Sequence, residues 1–153
     1  MPAYFFDSSA LVKSYATETG TAWVTMLLGP ATRNRIFLAR ITGAEVIAAL
    51  RRKQRGQHIT AADFSLAATQ FRTEFTGRFR IVEISAELVT DAMSLADKYA
   101  LRGYDAVQLA AALIANRRRV ARNLAPLMLI TADLDLLAAG AAEGLTTDNP
   151  NNH

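Results

Sequence analysis

Residues 3–12 read AYFFDSSALV, four apolar or aromatic residues followed by an aspartate and then by a segment that looks like the opening of a helix. Such an apolar run is typical of a short buried β-strand, and Asp7 stands where the strand ends and the helix begins. A second stretch, LMLITAD at residues 127–133, repeats this order and places Asp133 after another apolar run. Strand-to-helix units of this kind predict a parallel sheet with helices on its faces.

The rest of the chain continues the alternation of short apolar runs and longer helical segments. The predicted strands are Ala3–Phe6, Ile36–Leu38, Arg80–Ile84, Leu127–Ile130 and Leu145–Thr147, and the predicted helices are Ile41–Arg52, Ala61–Phe75, Ala86–Tyr99 and Asp105–Arg117. This order predicts an α/β fold, a three-layer α/β/α sandwich around a mainly parallel sheet of four or five strands. Residues 1–148 are expected to form a single domain, and the polar tail 149–153 is expected to fray.

The composition narrows the chemistry that the chain can perform. It has 153 residues, 17 Lys and Arg against 14 Asp and Glu, a net charge of +3 and no cysteine. A domain of this size folds without disulfides or a structural zinc, and the lack of cysteine excludes thiol nucleophiles and Fe–S clusters held by Cys. The N-terminal residues lack the pattern of a signal peptide, and the longest strictly apolar run, residues 109–115, is far shorter than the about 20 residues of a membrane span. We therefore expect a cytoplasmic protein without a membrane segment.

Four acidic residues lie where a purely structural role explains them poorly. Asp7 and Asp133 follow predicted strands, Glu45 lies within the apolar segment 43–50, and Asp105 precedes an Ala-rich helix. Taken singly, each aspartate fits a helix N-cap, and Glu45 fits a carboxylate that reaches a basic partner. An unpaired buried charge is too costly to retain. Taken together, the four acids predict one shared site that a positive group neutralises.

The side chains near these acids favour a hard divalent cation. No cysteine is present, and the two histidines, His58 and His153, lie outside the acidic motifs, so the expected ligands are all oxygen atoms. Such a ligand set suits Mg²⁺ or Mn²⁺ rather than Zn²⁺. Four carboxylates carry enough charge for two divalent ions of the kind used in phosphodiester cleavage. The pattern predicts a metal-dependent phosphoryl-transfer site.

These motifs resemble those of the PIN-domain ribonucleases, in particular the VapC toxins of bacterial toxin–antitoxin pairs. The matching stretches are DSSALVK at residues 7–13, AEV at 44–46 with RRK at 51–53, LRGYDA at 101–106, and TAD at 131–133 with EGL at 143–145. They follow in the family's order from Tyr4 to about Pro150 and so cover nearly the whole chain. The resemblance implies a Mg²⁺- or Mn²⁺-dependent endoribonuclease that acts on RNA, forms a homodimer and is blocked by a small antitoxin protein.

The family's acidic quartet, which is both catalytic and metal-binding, carries over to Asp7, Glu45, Asp105 and Asp133. The aspartates are expected to hold the metal ions, and Glu45 to complete their ligands or orient water. Ser8 and Thr131 match the hydroxyl residues that orient the carboxylates. Asp135 offers a second acid close to Asp133, and its place in the first turn of a helix explains it more simply.

Basic residues near the motifs are candidates for contact with RNA. These candidates are Lys13, Arg51, Arg52 and Arg102. Arg51 lies about 9 Å beyond Glu45 along a helix, close enough to meet a phosphate near the site. The arginines at 117–122 fall at the far end of the Asp105 helix and are expected to be a solvated helix end. Core packing is the simpler interpretation of the apolar stripe in Ala61–Phe75, and a groove for the antitoxin is the alternative.

Other classes of protein fit the sequence less well. A receiver-like regulatory domain also gathers acids at strand ends, but it needs a lysine after the fifth strand, and none follows Lys98. A phosphatase of the haloacid dehalogenase type needs an aspartate where this chain has Ser9. A non-catalytic receiver-like or PIN-derived module that binds nucleic acid or protein is retained as the alternative to an endoribonuclease.

Overall fold

The computed structural model describes every residue from Met1 to His153. Five strands form one sheet in the order β3-β2-β1-β4-β5, and each neighbouring pair is parallel. The strands are β1 (Ala3–Phe6), β2 (Arg35–Ala39), β3 (Arg80–Val82), β4 (Met128–Ile130) and β5 (Thr146–Asp148). Each strand lies within two residues of a run that the sequence predicts.

Seven α-helices flank the sheet. They are α1 (Ser8–Leu11), α2 (Thr21–Leu28), α3 (Thr42–Arg55), α4 (Ala61–Gly77), α5 (Ala86–Tyr99), α6 (Gly103–Val120) and α7 (Leu134–Ala142). Helices α3 to α6 are the four that the periodicity predicts. The sequence does not predict α2, because TAWVTMLL contains no charged residue to mark a polar face. None of the helices combines the length and the apolar character that a membrane span requires.

Two hydrophobic cores lie on opposite faces of the sheet. Side chains alternate along a strand, so Phe5 enters one core and Phe6 the other. The first core contains apolar residues of α5, α6 and α7, and the second contains those of α1 to α4. This arrangement is the three-layer α/β/α sandwich that the sequence predicts.

The order of the strands reverses between β1 and β4. From β1, the sheet continues through β2 and β3 on one side and through β4 and β5 on the other. Phe6 is paired with Ile130, and the backbone N of Asp7 donates to the carbonyl of Ile130 at 3.2 Å. The segments that follow β1 and β4 therefore leave the sheet side by side. In open parallel sheets, ligands bind in the crevice that such a reversal creates.

The chain's last residues, 149–153, which the sequence predicts to fray, make local contacts in the structure. Pro150–Asn152 form a 3₁₀ turn. The ring of His153 stacks on Trp23 with centroids 4.0 Å apart, and its Nε2 lies 3.1 Å from Asp148 Oδ1. Trp23 belongs to α2, the helix absent from the sequence prediction, so the surface that holds the tail could not be anticipated either.

Candidate active site

A cavity of about 720 Å³ opens at the carboxyl edge of the sheet, beside the ends of β1 and β4. Its lining includes all four acids of the predicted quartet, namely Asp7, Glu45, Asp105 and Asp133. Each comes from a different segment: Asp7 follows β1, Glu45 and Asp105 lie in the first turns of α3 and α6, and Asp133 caps α7. The fold thus brings together four carboxylates that are far apart in sequence.

Asp7 is the most deeply buried of the four, with 3% of its surface exposed. The hydroxyls of Ser9 and Thr131 donate to its carboxylate, each at 2.8 Å, and the backbone N of Ala10 donates at 3.0 Å. Burial raises the pKa of Asp7 to about 7, although these hydrogen bonds oppose the shift, and the charge of Asp105 adds to it. Asp7 therefore caps α1 and also carries a carboxylate that ionises with difficulty.

Ser9 orients Asp7, whereas Ser8, which the motif predicts to orient a carboxylate, acts on Glu45. Ser8 is adjacent to Asp7 in sequence, but the hydroxyl that reaches the carboxylate belongs to the next residue of α1. Ser9 Oγ also accepts from the backbone N of Ala132 at 3.0 Å and so ties α1 to the segment after β4. Ser8 lines the cavity together with Glu45, and its hydroxyl acts to lower the pKa of that carboxyl. Thr131 contacts Asp7 from β4's end, as the motif suggests.

Glu45 is held by Gln108, a residue that sequence reasoning missed. Gln108 lies in α6 with 1% of its surface exposed, and its Nε2 donates to Glu45 Oε1 at 2.6 Å and to Thr42 Oγ1 at 2.8 Å. Burial raises the pKa of Glu45, and the charge of Asp105 acts in the same direction. The sequence does carry a signal for Gln108. It comes three residues after Asp105, so both side chains lie on the same face of the helix.

Arg102 bridges the two remaining acids. Its Nε lies 3.2 Å from Asp105 Oδ2 and its Nη2 lies 3.1 Å from Asp133 Oδ2. The other oxygen of Asp133 accepts from the backbone N of Leu136 at 2.9 Å. Burial raises the pKa of Asp105, and repulsion from Asp133 adds to the effect. The Arg102 side chain is 83% exposed, against 18% for Asp105 and 20% for Asp133, so it approaches the pair from solvent.

The three remaining candidates for contact with RNA lie in different surroundings. Arg52 lines the cavity. Arg51 is exposed and its guanidinium lies over the ring of Phe64, 4.8 Å from the centroid. Lys13 is 5% exposed and its Nζ lies 3.1 Å from Glu18, which corrects the expectation that it contacts RNA, because its charge is buried in an internal ion pair. Asp135 is exposed in the first turn of α7 and does not line the cavity.

The donor chemistry of the cavity fits a hard divalent cation. Its titratable acids offer only oxygen ligands, and three of them have pKa values raised by burial and by one another's charge. A cation would relieve both effects. As the side chains stand, no three acidic or histidine residues form a group that could hold one ion, and the positive charge between Asp105 and Asp133 comes from Arg102. Arg102 thus occupies one carboxylate oxygen of each residue, Asp105 Oδ2 and Asp133 Oδ2.

Comparison with known proteins identifies the fold family. The sequence profile of the PIN domain family matches residues 4–141. The chain belongs to the PIN-domain family. Ribonuclease VapC45 of Mycobacterium tuberculosis (strain CDC 1551 / Oshkosh) is 36% identical to this PIN domain over 113 residues, which are 74% of this chain and 76% of that protein. Family membership removes the receiver-like alternative.

Solved structures share the fold of this PIN domain. One is a toxin–antitoxin complex from Klebsiella pneumoniae, with a TM-score of 0.61 and 22% identity over 96% of this chain and 97% of the other. Another is Mycobacterium tuberculosis VapC20, described as a Sarcin-Ricin loop cleaving toxin, with a TM-score of 0.63 and 16% identity over 94% and 96% of the two chains. At these identities the likeness shows the common PIN fold.

Proposed function

We propose that this PIN domain is a metal-dependent endoribonuclease that hydrolyses RNA phosphodiester bonds and is the toxin of a toxin–antitoxin pair. The observation that carries the proposal is the convergence of Asp7, Glu45, Asp105 and Asp133 on one cavity at the reversal of strand order. The name of the relative, a VapC ribonuclease, supports RNA as the substrate class. The nuclease domain is taken as residues 1–148.

Mg²⁺ or Mn²⁺ is the proposed cofactor, with the four carboxylates as its ligands. When bound in such a site, the ion polarises a phosphate and lowers the pKa of water at neutral pH. The chain's own residues position the ligands: Ser9 and Thr131 fix Asp7, and Gln108 fixes Glu45. These hydrogen bonds restrict the orientations that the two carboxylates can take.

The cavity also offers contacts for a nucleotide chain. Arg52 lines it and is exposed, so its planar guanidinium is available to a phosphate. Tyr104 lines the same cavity and is 64% exposed, which suits an aromatic surface on which a base of single-stranded RNA stacks. Arg102, once displaced from Asp105 and Asp133, lies beside the same path. Tyr104 adds a candidate that the sequence argument did not consider.

The proposed antitoxin covers the rim of this cavity. Val89 and Met93 of α5 line the cavity and are 42% and 69% exposed, and Tyr104 extends this apolar surface. Exposed apolar patches with a polar surround are typical of protein interaction sites. A partner seated there would also screen the four carboxylates from RNA. The homodimer and the cytoplasmic location belong to the same proposal, as partners and compartment expected of such a toxin.

The proposal is tested by incubating the purified protein with end-labelled single-stranded RNA in Mn²⁺ buffer, in EDTA, and in EDTA followed by excess Mn²⁺. We expect internal cleavage that EDTA abolishes and Mn²⁺ restores, because the four carboxylates need a cation to act. Undiminished cleavage in EDTA would show a metal-independent nuclease. RNA binding without cleavage under all three conditions would favour the non-catalytic PIN-derived module.

The toxin assignment has its own test. Induced expression of the chain in a bacterial host is expected to arrest growth, and co-expression of the short open reading frame beside its gene is expected to restore it. Sequencing the 5′ ends of RNAs that accumulate on induction identifies the substrate. Cleavage without growth arrest would indicate a housekeeping PIN nuclease.

A further inference from the structure

A second concentration of charge lies at the amino edge of the sheet, away from the four carboxylates. A recess of about 250 Å³ there, which we call the arginine recess, has a lining with no acidic residue and with four arginines, Arg33, Arg35, Arg78 and Arg80. Arg35 begins β2 and Arg80 begins β3, and these strands are parallel neighbours. Parallel pairing therefore places both side chains at the same edge.

Most of this charge has no carboxylate to neutralise it. Arg78 pairs with Glu74 at 3.0 Å, but Arg33, Arg35 and Arg80 form no ion pair. Like charges held together without a partner are unfavourable unless an anion is bound. The fold thus retains an uncompensated group of guanidiniums at one edge of the molecule.

Arg119 of α6 adds to the charge behind the recess. It is 6% exposed and its Nε donates to the carbonyl of Ala125 at 2.8 Å, which corrects the expectation that the arginines at 117–122 are all solvated. Burial lowers the pKa of Arg119, and the charges of Arg35 and Arg80 lower it further. Arg119 is thus close enough to Arg35 and Arg80 for their charges to act on it.

The turn that presents Arg33 is well ordered by local contacts. Arg33 has a φ of +56°, in the left-handed region, at the end of the 3₁₀ turn Pro30–Thr32. The side chain of Asn34 donates to the carbonyl of Leu27 at 2.9 Å, and the Thr32 hydroxyl donates to Gly29 at 2.7 Å. The backbone conformation is uncommon for a residue with a side chain. These contacts fix the position from which Arg33 reaches the recess.

We propose that the arginine recess binds phosphate groups of the RNA chain at a distance from the bond that is cleaved. The inference rests on the proposed function, in which RNA is the substrate. Guanidinium groups bind phosphate through paired hydrogen bonds, and such contacts position a nucleic acid without reading its sequence. The recess and the carboxylates are separated by the length of the strands, about 15 Å. A dinucleotide, with its single phosphodiester, fills only the active site, whereas a longer RNA reaches both.

The test compares two double variants that remove the same charge. Arg33→Asn with Arg80→Gln changes two exposed residues of the recess, and Asn tolerates the left-handed conformation at position 33. Arg55→Gln with Arg72→Gln is the control, because both of these arginines are exposed and form no hydrogen bond or ion pair through their side chains. Circular dichroism and thermal unfolding verify that each variant is folded.

Affinity is measured by fluorescence anisotropy in an Asp7→Asn background, so that the RNA stays intact. For an oligonucleotide of about 20 residues, the recess variant is expected to bind on the order of tenfold more weakly. The slope of a plot of log K against the logarithm of the salt concentration is expected to be smaller in magnitude by about 1.4, because two phosphate contacts are lost. The control variant is expected to match the parent. Equal affinities and slopes of the recess and control variants for the long RNA would overturn the proposal.

Cleavage of a dinucleotide in the wild-type background separates this proposal from the assignment of the active site. The recess variant is expected to cleave the dinucleotide at the wild-type rate, because its two substitutions do not touch the cavity. A slower rate on the dinucleotide would contradict a remote role for the recess. If the wild-type chain cleaves no RNA, the proposed function fails, while the anisotropy measurement still decides whether the recess binds phosphates.

Discussion

Burial of the Asp7 carboxylate raises its pKa to about 7, against 3.8 for an ordinary aspartate. The unfolded chain releases this proton near pH 4, but the folded chain keeps it until about pH 7. Between these values the folded state binds more protons, so the stability that this residue contributes falls as the pH rises, and the loss is complete above pH 7. A single residue of the site thus costs the fold up to about 4 kcal/mol at alkaline pH.

Asp7→Asn is therefore expected to stabilise the protein at pH 8 by up to about 4 kcal/mol, because asparagine fills the same space without the buried charge. The gain shrinks as the pH falls from about 7 to 4. Urea unfolding at pH 8 and pH 5 measures the difference. Asp97→Asn, at an exposed residue that forms no side-chain hydrogen bond, is the control. Equal stabilities of Asp7→Asn and wild type at pH 8 would contradict the assigned burial cost.

Arg102 is expected to compete with a divalent cation, since its guanidinium pairs with Asp105 and Asp133. Arg102→Gln should bind Mn²⁺ more tightly, by a factor of a few up to about ten, because exposed ion pairs are individually weak. Titration followed by the electron paramagnetic resonance of free Mn²⁺ measures this affinity, with Arg55→Gln as the matched variant. Unchanged or weaker Mn²⁺ binding would show that Arg102 supports the site rather than competing for it.

Among the secondary-structure elements, α3 and α6 are tied across the cavity by one buried amide. Gln108→Ala removes the donor to Glu45 and Thr42 and leaves both acceptors with one partner fewer. We expect the free energy of unfolding to fall by about 1–3 kcal/mol, the cost of a buried polar group left unsatisfied. Chemical denaturation measures the change. The control is Gln70→Ala, at an exposed glutamine of α4, which should change the free energy of unfolding by less than about 0.5 kcal/mol. A similar loss in both variants would show that the Gln108 amide does not stabilise the contact between α3 and α6.

The elements around the site were predictable because each carries a local signal. Asp7 and Asp133 combine the end of an apolar run with the start of a helix, and the structure places both as N-caps that line one cavity. Which carboxylate each hydroxyl contacts, Ser9 with Asp7 and Ser8 beside Glu45, was not predictable, since the rotation of α1 relative to β4 depends on tertiary packing. The ion pair between Lys13 and Glu18 was not predictable for the same reason, because Glu18 lies in a loop whose path the sequence does not specify.

Across the whole molecule, charge is divided between the two edges of the sheet. The carboxyl edge holds the four acids of the cavity, and the amino edge holds the arginine recess. The net charge of +3 conceals this division, which the sequence alone could not show because Arg33 and Arg80 are far apart along the chain. If a cation neutralises the acids, as proposed, the surface presented to RNA would become more basic.

The central claim, that the four carboxylates form one hydrolytic site for RNA, is tested most directly by the cleavage rate of Asp7→Asn. The assay uses single-stranded RNA in Mn²⁺ buffer and compares wild type, Asp7→Asn and Asp97→Asn at equal concentration of folded protein. Asp97→Asn is predicted to cleave at the wild-type rate. Asp7→Asn is predicted to remain folded but to cleave at least about a hundredfold more slowly, which is the usual effect of removing one group that stabilises charge in the transition state. Cleavage by Asp7→Asn at the wild-type rate would contradict it.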